Sequence, residues 1–437
     1  MLNKDAAREI IAQITAQTKN YAQVRLSASE QGTTRFAKSE ISQNVSVADA
    51  TASLTMFNGK KEATASTNDL TPAGLAQLAK DADALLAHVP DGTHEAFPFP
   101  QGVDSAPPAT PLAQAFDVSE RAALIKKGMS YVENGFSASG ALVLTRQALA
   151  LGDSRNAFHY AAYDNVTFNT VVTSSCGADG AGECASYTDT PDIIAQFKKA
   201  QATAKNARNP VAPELGAHTV VLSPVAFGDL MYFLSMMLNA KAVDDGISFA
   251  AGKLGQQVFG TNLTVRDDIT HPHLRPLPFD LEGNPRKPLT LIENGVLTHL
   301  LYDNKRAAKH GKTPTGHAVP TPPGGAYPFN LVVDAGDTPL ADLISGTQRG
   351  IFINEFHYTN FVNPRNLQIT GLTRNGTFLI ENGKLTRPIS TVRFTESLLD
   401  AFNHITALSS EREKVTGLGI ALMPAAKIEN FHFTSKA

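Results

Sequence analysis

Four short clusters in this 437-residue chain carry side chains able to bind a metal or move a proton. His271-Pro272-His273 would set two imidazoles on the same side of an extended backbone. That is half of a metal site, or equally two solvated residues in a loop crowded by Pro272, Pro276 and Pro278. Asn354-Glu355-Phe356-His357-Tyr358 mixes a carboxylate, an imidazole and two aromatic rings. It could line a peptide groove, or form an ordinary strand in which alternation puts Phe356 and Tyr358 on one face and Glu355 and His357 on the other. His317 follows Thr315-Gly316, a third imidazole in a turn-rich stretch. His94-Glu95 looks like the start of a zinc-peptidase motif, but no histidine follows at a workable distance, and Pro98 and Pro100 forbid a regular helix there. A self-sufficient metallopeptidase would therefore have to draw its ligands from His271, His273, His317 and His357.

Other chemistries find less to work with. There is no G-x-S-x-G elbow, no glycine loop ending in Lys-Ser or Lys-Thr, and no dinucleotide fingerprint. The two cysteines, Cys176 and Cys184, stand in the Gly-rich segment SSCGADGAGEC and are expected to be free thiols near a loop. No second pair completes a tetrahedral metal site with them. The net charge is −3 with Lys and Arg scattered along the chain, which gives no concentrated basic surface for nucleic acid. With 42% hydrophobic residues and no apolar run near the roughly 18 residues of a membrane span, no membrane segment is expected. The opening MLNKDAAREIIAQITAQTKN carries acidic residues and no small-residue cleavage site after an apolar core, so a cytoplasmic protein is expected.

The elements that must hold these residues read as α+β. A helical stripe of Ala7, Ile10, Ile11 and Ile14 predicts a helix over 5–19. Alternation from Ala22 to Ala65, with Asn58-Gly59 as a turn, predicts half-buried antiparallel strands, and Thr71-Pro72 opens a second helix. Prolines between Pro90 and Pro111 mark a linker or surface strap. A second section repeats the order: a helix from Ser119, strands over 141–151 and 158–174, and a helix opened by Thr190-Pro191. The domains expected are 1–105, 106–213 and 214–437. In the last, Ser223-Pro224 starts a helix to about Asn239 that is apolar almost all round, with Asp229 its only charge, so it should be buried. Leu291 to Gly295 and Leu379 to Gly383 share the sequence LIENG, whose Asn-Gly pair predicts a type I′ hairpin in both places.

Phe279-Asp280-Leu281-Glu282-Gly283, then Leu291-Ile292-Glu293-Asn294-Gly295-Val296-Leu297, Asp303, and Thr313-Pro314-Thr315-Gly316 together resemble the C-terminal domain of the TldD/PmbA family, often labelled modulator of DNA gyrase and containing zinc-dependent peptidases. Arg349-Gly350-Ile351-Phe352 and the stretch from Gly376 to Ile389 resemble the family's closing strands.

In zinc-bearing members, the resemblance places an HExxxH motif on the buried helix, whose histidines bind zinc while the glutamate activates the metal's water. Laid on this chain, the ligands fall at Tyr232 and Met237 and the base at Phe233, none of which can do that work. The family's cysteine ligand near the C-terminus is missing from Lys414 to Ile420 as well. This coordinated loss is similar to the PmbA branch, also called TldE, whose members pair with a metal-bearing TldD subunit. The resemblance thus implies no metal in this chain, zinc in a TldD-like partner, and a cavity for small or unfolded peptides lined by Glu282, Thr315, Gly316, His317 and Asn330. A homodimer is a further expectation. The alternatives are a peptidase in its own right and a regulatory binding protein for gyrase or a toxin system.

Overall fold

The computed structural model describes residues 2–90, 92, 96–101, 117–174, 177–189, 191–319, 324–417 and 419–436. His94, Glu95, Cys176 and most of the Pro-rich strap lie outside the described residues. Helix α1 (Lys4–Thr15) is capped by the Asn3 side chain and buries Ala7, Ile11 and Ile14; it stops short of the predicted Lys19. Three strands follow, β1 (Tyr21–Ala37), β2 (Glu40–Asn58) and β3 (Lys61–Thr67), then α2 (Pro72–His88), opened by Thr71 and Pro72 as expected. The same order recurs as α3 (Val118–Met129), β4 (Phe136–Asp153), β5 (Phe158–Ser174), β6 (Asp179–Ser186) and α4 (Ile193–Asn206).

All six strands form one antiparallel sheet in the order β3-β2-β1-β4-β5-β6. Its centre is the β1–β4 pairing, which runs from Gln23 opposite Asp153 to Phe36 opposite Gly140. Alternation gives this sheet two unlike faces. Ala22, Val24 and Leu26 of β1 pack with α1 and α2, while Gln23, Arg25 and Ser27 point the other way.

Three local expectations need correcting. Helix α3 is capped by Asp117, not Ser119, because Asp117 and Glu120 bond each other's backbone N–H in a capping box. Helix α4 begins at Ile193 under an Asp192 cap, beyond Thr190-Pro191. The Gly-rich stretch around Cys184 is not a loop but strand β6. A Cβ on Gly180 would lie 2.2 Å from Ala200 O, and one on Gly182 2.5 Å from Gln196 O. Those glycines let α4 lie directly on the strand, a packing use that composition disguises as flexibility.

The remaining chain contributes β7 (Gly216–Leu222), α5 (Pro224–Met236), α6 (Ala240–Asp244), β8 (Val265–Asp267), β9 (Leu289–Glu293), β10 (Val296–Leu297), α7 (Asn304–His310), β11 (Leu331–Val333), α8 (Leu340–Ser345), β12 (Arg349–Asn363), β13 (Gln368–Glu381), β14 (Lys384–Pro388), β15 (Val392–Ser397), α9 (Leu398–Asn403), β16 (Ile405–Thr416) and β17 (Ile420–Lys436). These strands make a second, mixed sheet, antiparallel except where β7 meets β12 and β11 meets β17. Both LIENG turns hold: Asn294 and Gly295 have φ 47° and 80°, Asn382 and Gly383 51° and 74°. The largest apolar core gathers around α5, through Phe227, Leu230, Met231 and Leu234. A smaller cluster joins the two sheets, setting Leu151, Tyr163 and Tyr187 against Leu274, Phe279 and Leu422. Among the described residues no helix is long and apolar enough to cross a membrane.

Candidate functional site

Helix α5 is fixed at its start by Ser223, whose hydroxyl accepts the Ala226 N–H at 3.1 Å and donates to Asn354 O of β12 at 2.5 Å. A Cβ on Gly228 would stand 2.8 Å from Val415 Cγ2, so only glycine lets the helix settle this close to β16. Val225, Gly228, Asp229 and Tyr232 are spaced as one helical stripe. Two separate pockets flank that stripe and make up the groove along α5. Beside Val225 lies a cavity of about 380 Å³, walled by Glu183 of β6, Lys199 of α4 and Glu355 of β12. Beside Tyr232 lies one of about 20 Å³, room for a single water, walled by Phe329, Thr416 and Gly417.

The structure brings together two of the segments on which the sequence comparison had set a metal centre. A Cβ on Gly417 would lie 3.9 Å from Tyr232 Cδ2, so the helix and the Gly-rich C-terminal turn are neighbours. Their side chains nevertheless do not fit zinc. Tyr232 alone of the three helix positions borders the pocket. Phe233 packs edge-on against Phe361 with ring centroids 4.9 Å apart, and Met237 lies past the helix end in the apolar core. Among the described residues no group of three or more His, Cys, Asp or Glu side chains is placed to hold a metal ion.

The wide cavity carries two carboxyls, Glu183 and Glu355, and the Lys199 ammonium, which pairs with Glu413 at 3.4 Å; a third carboxyl, Asp229, sits on the adjoining α5 stripe. Burial pushes the Asp229 carboxyl up to about 8, and the charges of Glu355 and Glu183 push the same way; its hydrogen-bond partner is the Phe356 N–H, at 3.4 Å. Burial also raises Glu183, although the Thr416 N–H and hydroxyl bond to it. Glu355 accepts from Asn375 Nδ2 at 2.7 Å. At neutral pH the groove therefore holds a protonated acid beside two further carboxyls. Thr170 Oγ1 on the groove wall and Asn375 Oδ1 are buried with no partner among the described residues. Sequence reading passed over Glu183 because its strand was taken as a loop; glycines at alternate positions, 180 and 182, were the available signal. The neighbouring Cys184 is no nucleophile: burial, then Glu183 and Asp192, push its thiol up to about 12.

The five cavity residues proposed from sequence divide. Glu282 borders a separate cavity against the N-terminal sheet; burial raises its carboxyl to about 8, and it accepts the Asn304 N–H at 2.8 Å. The other four build the walls behind it. The Thr315 hydroxyl accepts the Tyr302 N–H at 3.0 Å and donates to Tyr302 O. Gly316, at φ 78°, passes so near Pro285 that a Cβ would meet its carbonyl oxygen at 2.5 Å. His317 is fully buried, stacked with Phe329, its Nε2 3.2 Å from Asp267 Oδ1 but out of line for a hydrogen bond. Asn330 gives its N–H to Asp267 and its amide to the carbonyls of Asp268 and Arg275. Burial would raise Asp267, but Arg286 above all, then His317 and the Asn330 N–H, hold it well below the usual carboxylate range.

Of the remaining imidazoles, His271 and His273 face each other at 5.8 Å on the surface, beside Thr188. Burial, Arg412 and His273 all lower His271. The alternation expected at His357 fails. Phe356 is 3% exposed and Tyr358 74%, because the strand shifts register between His357 and Asn360 with Tyr358 at φ 56°.

Residues 215–435 match the model of the PmbA/TldA metallopeptidase C-terminal domain, and residues 22–86 match domain 1 of the same metallopeptidases. Over 254 residues the chain is 29% identical to an uncharacterized protein of Methanocaldococcus jannaschii, covering 56% of this chain and 59% of that one. It is 24% identical over 242 residues to a metalloprotease of Methanothermobacter thermautotrophicus, covering 54% and 52%. The chain thus spans about half the length of these curated relatives. In fold it is similar to TldE from Thermococcus kodakarensis, with a TM-score of 0.86 at 20% identity over 98% of this chain and 100% of that one. A Thermotoga maritima chain, described as a proposed modulator of a DNA gyrase, gives 0.85 at 18% over 98% and 99%.

Proposed function

The chain belongs to the PmbA/TldD metallopeptidase family, and we propose that it is a subunit without a catalytic metal, which shapes and holds a peptide groove against a metal-bearing, TldD-like partner. The observation that carries this reading is the character of α5. At the positions where a zinc peptidase needs two imidazoles and a carboxylate it presents Tyr232, Phe233 and Met237, and the turn beside it offers Gly417 and Gly419 where a thiolate would be needed. No step of hydrolysis is available to such a set. The groove along α5 can still bind peptide, through the unpartnered Thr170 hydroxyl and the Glu355 carboxyl on its wall.

On this reading the pair works in the cytoplasm. The partner supplies zinc and the general base, while this chain supplies one wall of the enclosure; a second copy of this chain can occupy the partner's place when the partner is absent. The test is metal analysis together with cleavage of a fluorogenic unfolded peptide, run on the purified chain alone and mixed with a TldD-like chain. Cleavage only in the mixture is the expected result. Equimolar zinc and cleavage by the chain alone would overturn it.

A further inference from the structure

The polar face of the N-terminal sheet does not pack solidly onto the second sheet. Two cavities separate them. One, of about 550 Å³, lies over β1, β2 and β3 and is closed on the far side by Glu282 and the Asp303–Arg306 turn. The other, of about 450 Å³, lies over β1 and β4 and is closed by Tyr163, Arg275 and Phe329. Each is the size of a site for a small ligand. They share two walls, Arg25 and Leu281, so Arg25 stands where one cavity passes into the other. Phe329 is in turn the partition between the second cavity and the narrow pocket beside Tyr232.

Arg25 is half-buried without a partner among the described residues, whereas the buried and half-buried polar groups beside it are answered and Lys305 is exposed to solvent. Gln23 is tied to Tyr21 and to Phe97 O, Ser53 to Ser66, and Thr55 to Thr64. Arg306 pairs with Asp303 at 3.0 Å. Among the described residues the Arg25 guanidinium makes no hydrogen bond or ion pair, and burial lowers it from the ordinary arginine range with no carboxylate opposing the shift. A half-buried guanidinium costs free energy unless an anion meets it, and its planar fork matches a carboxylate. A single negative charge suffices to answer it, because Asp303 already answers Arg306, and Glu62 in the first cavity and Asp49 in the second add acidic groups that disfavour a multiply charged phosphate there. Hydroxyls of Ser27, Ser53, Thr55 and Thr64 and the rings of Phe57 and Phe99 supply the mixed polar and apolar lining that a short peptide needs.

We infer that these two cavities form a peptide channel in which Arg25 receives a carboxylate of the peptide. This rests on the peptide-handling reading above, but it concerns a different place, on the N-terminal sheet. The test uses the whole chain alone and three hexapeptide libraries carrying a neutral fluorescent dye: free C-terminus without Asp or Glu, C-terminal amide without Asp or Glu, and C-terminal amide with one internal Asp. Fluorescence anisotropy should show at least one carboxylate-bearing library binding about tenfold more tightly than the uncharged amide. Preference for the first library identifies a peptide terminus as the group bound, and preference for the third a side chain. Arg25→Gln should remove the preference and Arg25→Lys keep part of it. Arg35→Gln, on the exposed end of the same strand, should change nothing. Absence of binding, equal binding of all three libraries, or an unaltered preference in a folded Arg25→Gln chain would each overturn the inference. The comparison of libraries on the unaltered chain decides the matter even if that variant does not fold. Cleavage by the mixed subunits without Arg25-dependent binding would sink this channel and leave the proposed subunit role standing. Binding without cleavage would do the reverse.

Discussion

Two regions of the C-terminal half invert what their residue types suggest. The Asp267–Arg286–His317–Asn330 knot contains an acid, a base and an imidazole within contact of one another, all buried where the loop around 278–286 meets the turn around 315–318. Helix α5 carries a phenol, a benzyl ring and a thioether at the positions that matched a catalytic motif, and only the phenol borders a pocket, yet the groove beside the helix is the open place. Chemistry needs a side chain with something left to give. In the knot the Asp267 and Arg286 charges answer each other and the unpartnered atoms of His317, Arg286 and Asn330 are sealed from solvent, whereas along the groove the unpartnered Thr170 hydroxyl lines an open cavity.

The strongest way to break this contrast is to remove one member of the knot. Asp267→Ala leaves Arg286 buried and unpaired and should cost about 3–5 kcal/mol in urea unfolding. Because Asp267 is held below its unfolded value, its contribution is present above the ordinary carboxylate range and is lost as pH falls beneath it. The native chain should therefore weaken in acid more steeply than Asp267→Asn does. A loss within the scatter of surface substitutions would mean the knot is not structural.

The groove wall depends on space rather than charge. Gly180→Val drives a side chain into Ala200 O and should cost about 1–3 kcal/mol by thermal unfolding, with the neighbouring cavity disturbed as well. Asp229→Asn sharpens the comparison from the other side. Burial raises the acid from the ordinary carboxylate range to about 8, so the native state loses stability as pH climbs from that range toward 8. The asparagine variant should match the native chain near pH 4 and gain on it steadily toward pH 8, by roughly 1.4 kcal/mol or less for each pH unit. A constant difference across that range would show that Asp229 titrates normally. Smallest is Thr315→Ala, which loses one shared hydroxyl and should cost about 1 kcal/mol without touching peptide binding.

Much of the fold was legible because short-range rules set it. Ser223-Pro224 and Thr71-Pro72 start helices where read, and both LIENG turns adopt the positive φ angles that their Asn-Gly pairs tolerate. The two errors in helix starts have one cause: an Asp nearer the first turn, at 117 and at 192, out-competes the residue chosen. The site was less legible. The family resemblance pointed to α5 and the C-terminal glycines as neighbours, but it could not reveal that Glu183 arrives from the other sheet or that Arg25 stands unanswered between two cavities. Those facts depend on contacts between residues far apart in sequence, which no local pattern encodes. His317 and Asn330 were chosen for their functional groups, and burial decides how those groups are used.

The β1–β4 seam at the middle of the N-terminal sheet has a consequence for how the chain reaches its native state. Strands β1, β2 and β3 can zip together as successive hairpins, and so can β4, β5 and β6, each within a short length of polypeptide. Joining the two triplets must wait until Phe36 finds Gly140 and Gln23 finds Asp153, across the proline-laden connection. Closing that long loop is the slow, entropically opposed event. A ribosome that has released only the first triplet therefore displays, for seconds, a bare strand edge awaiting its other half.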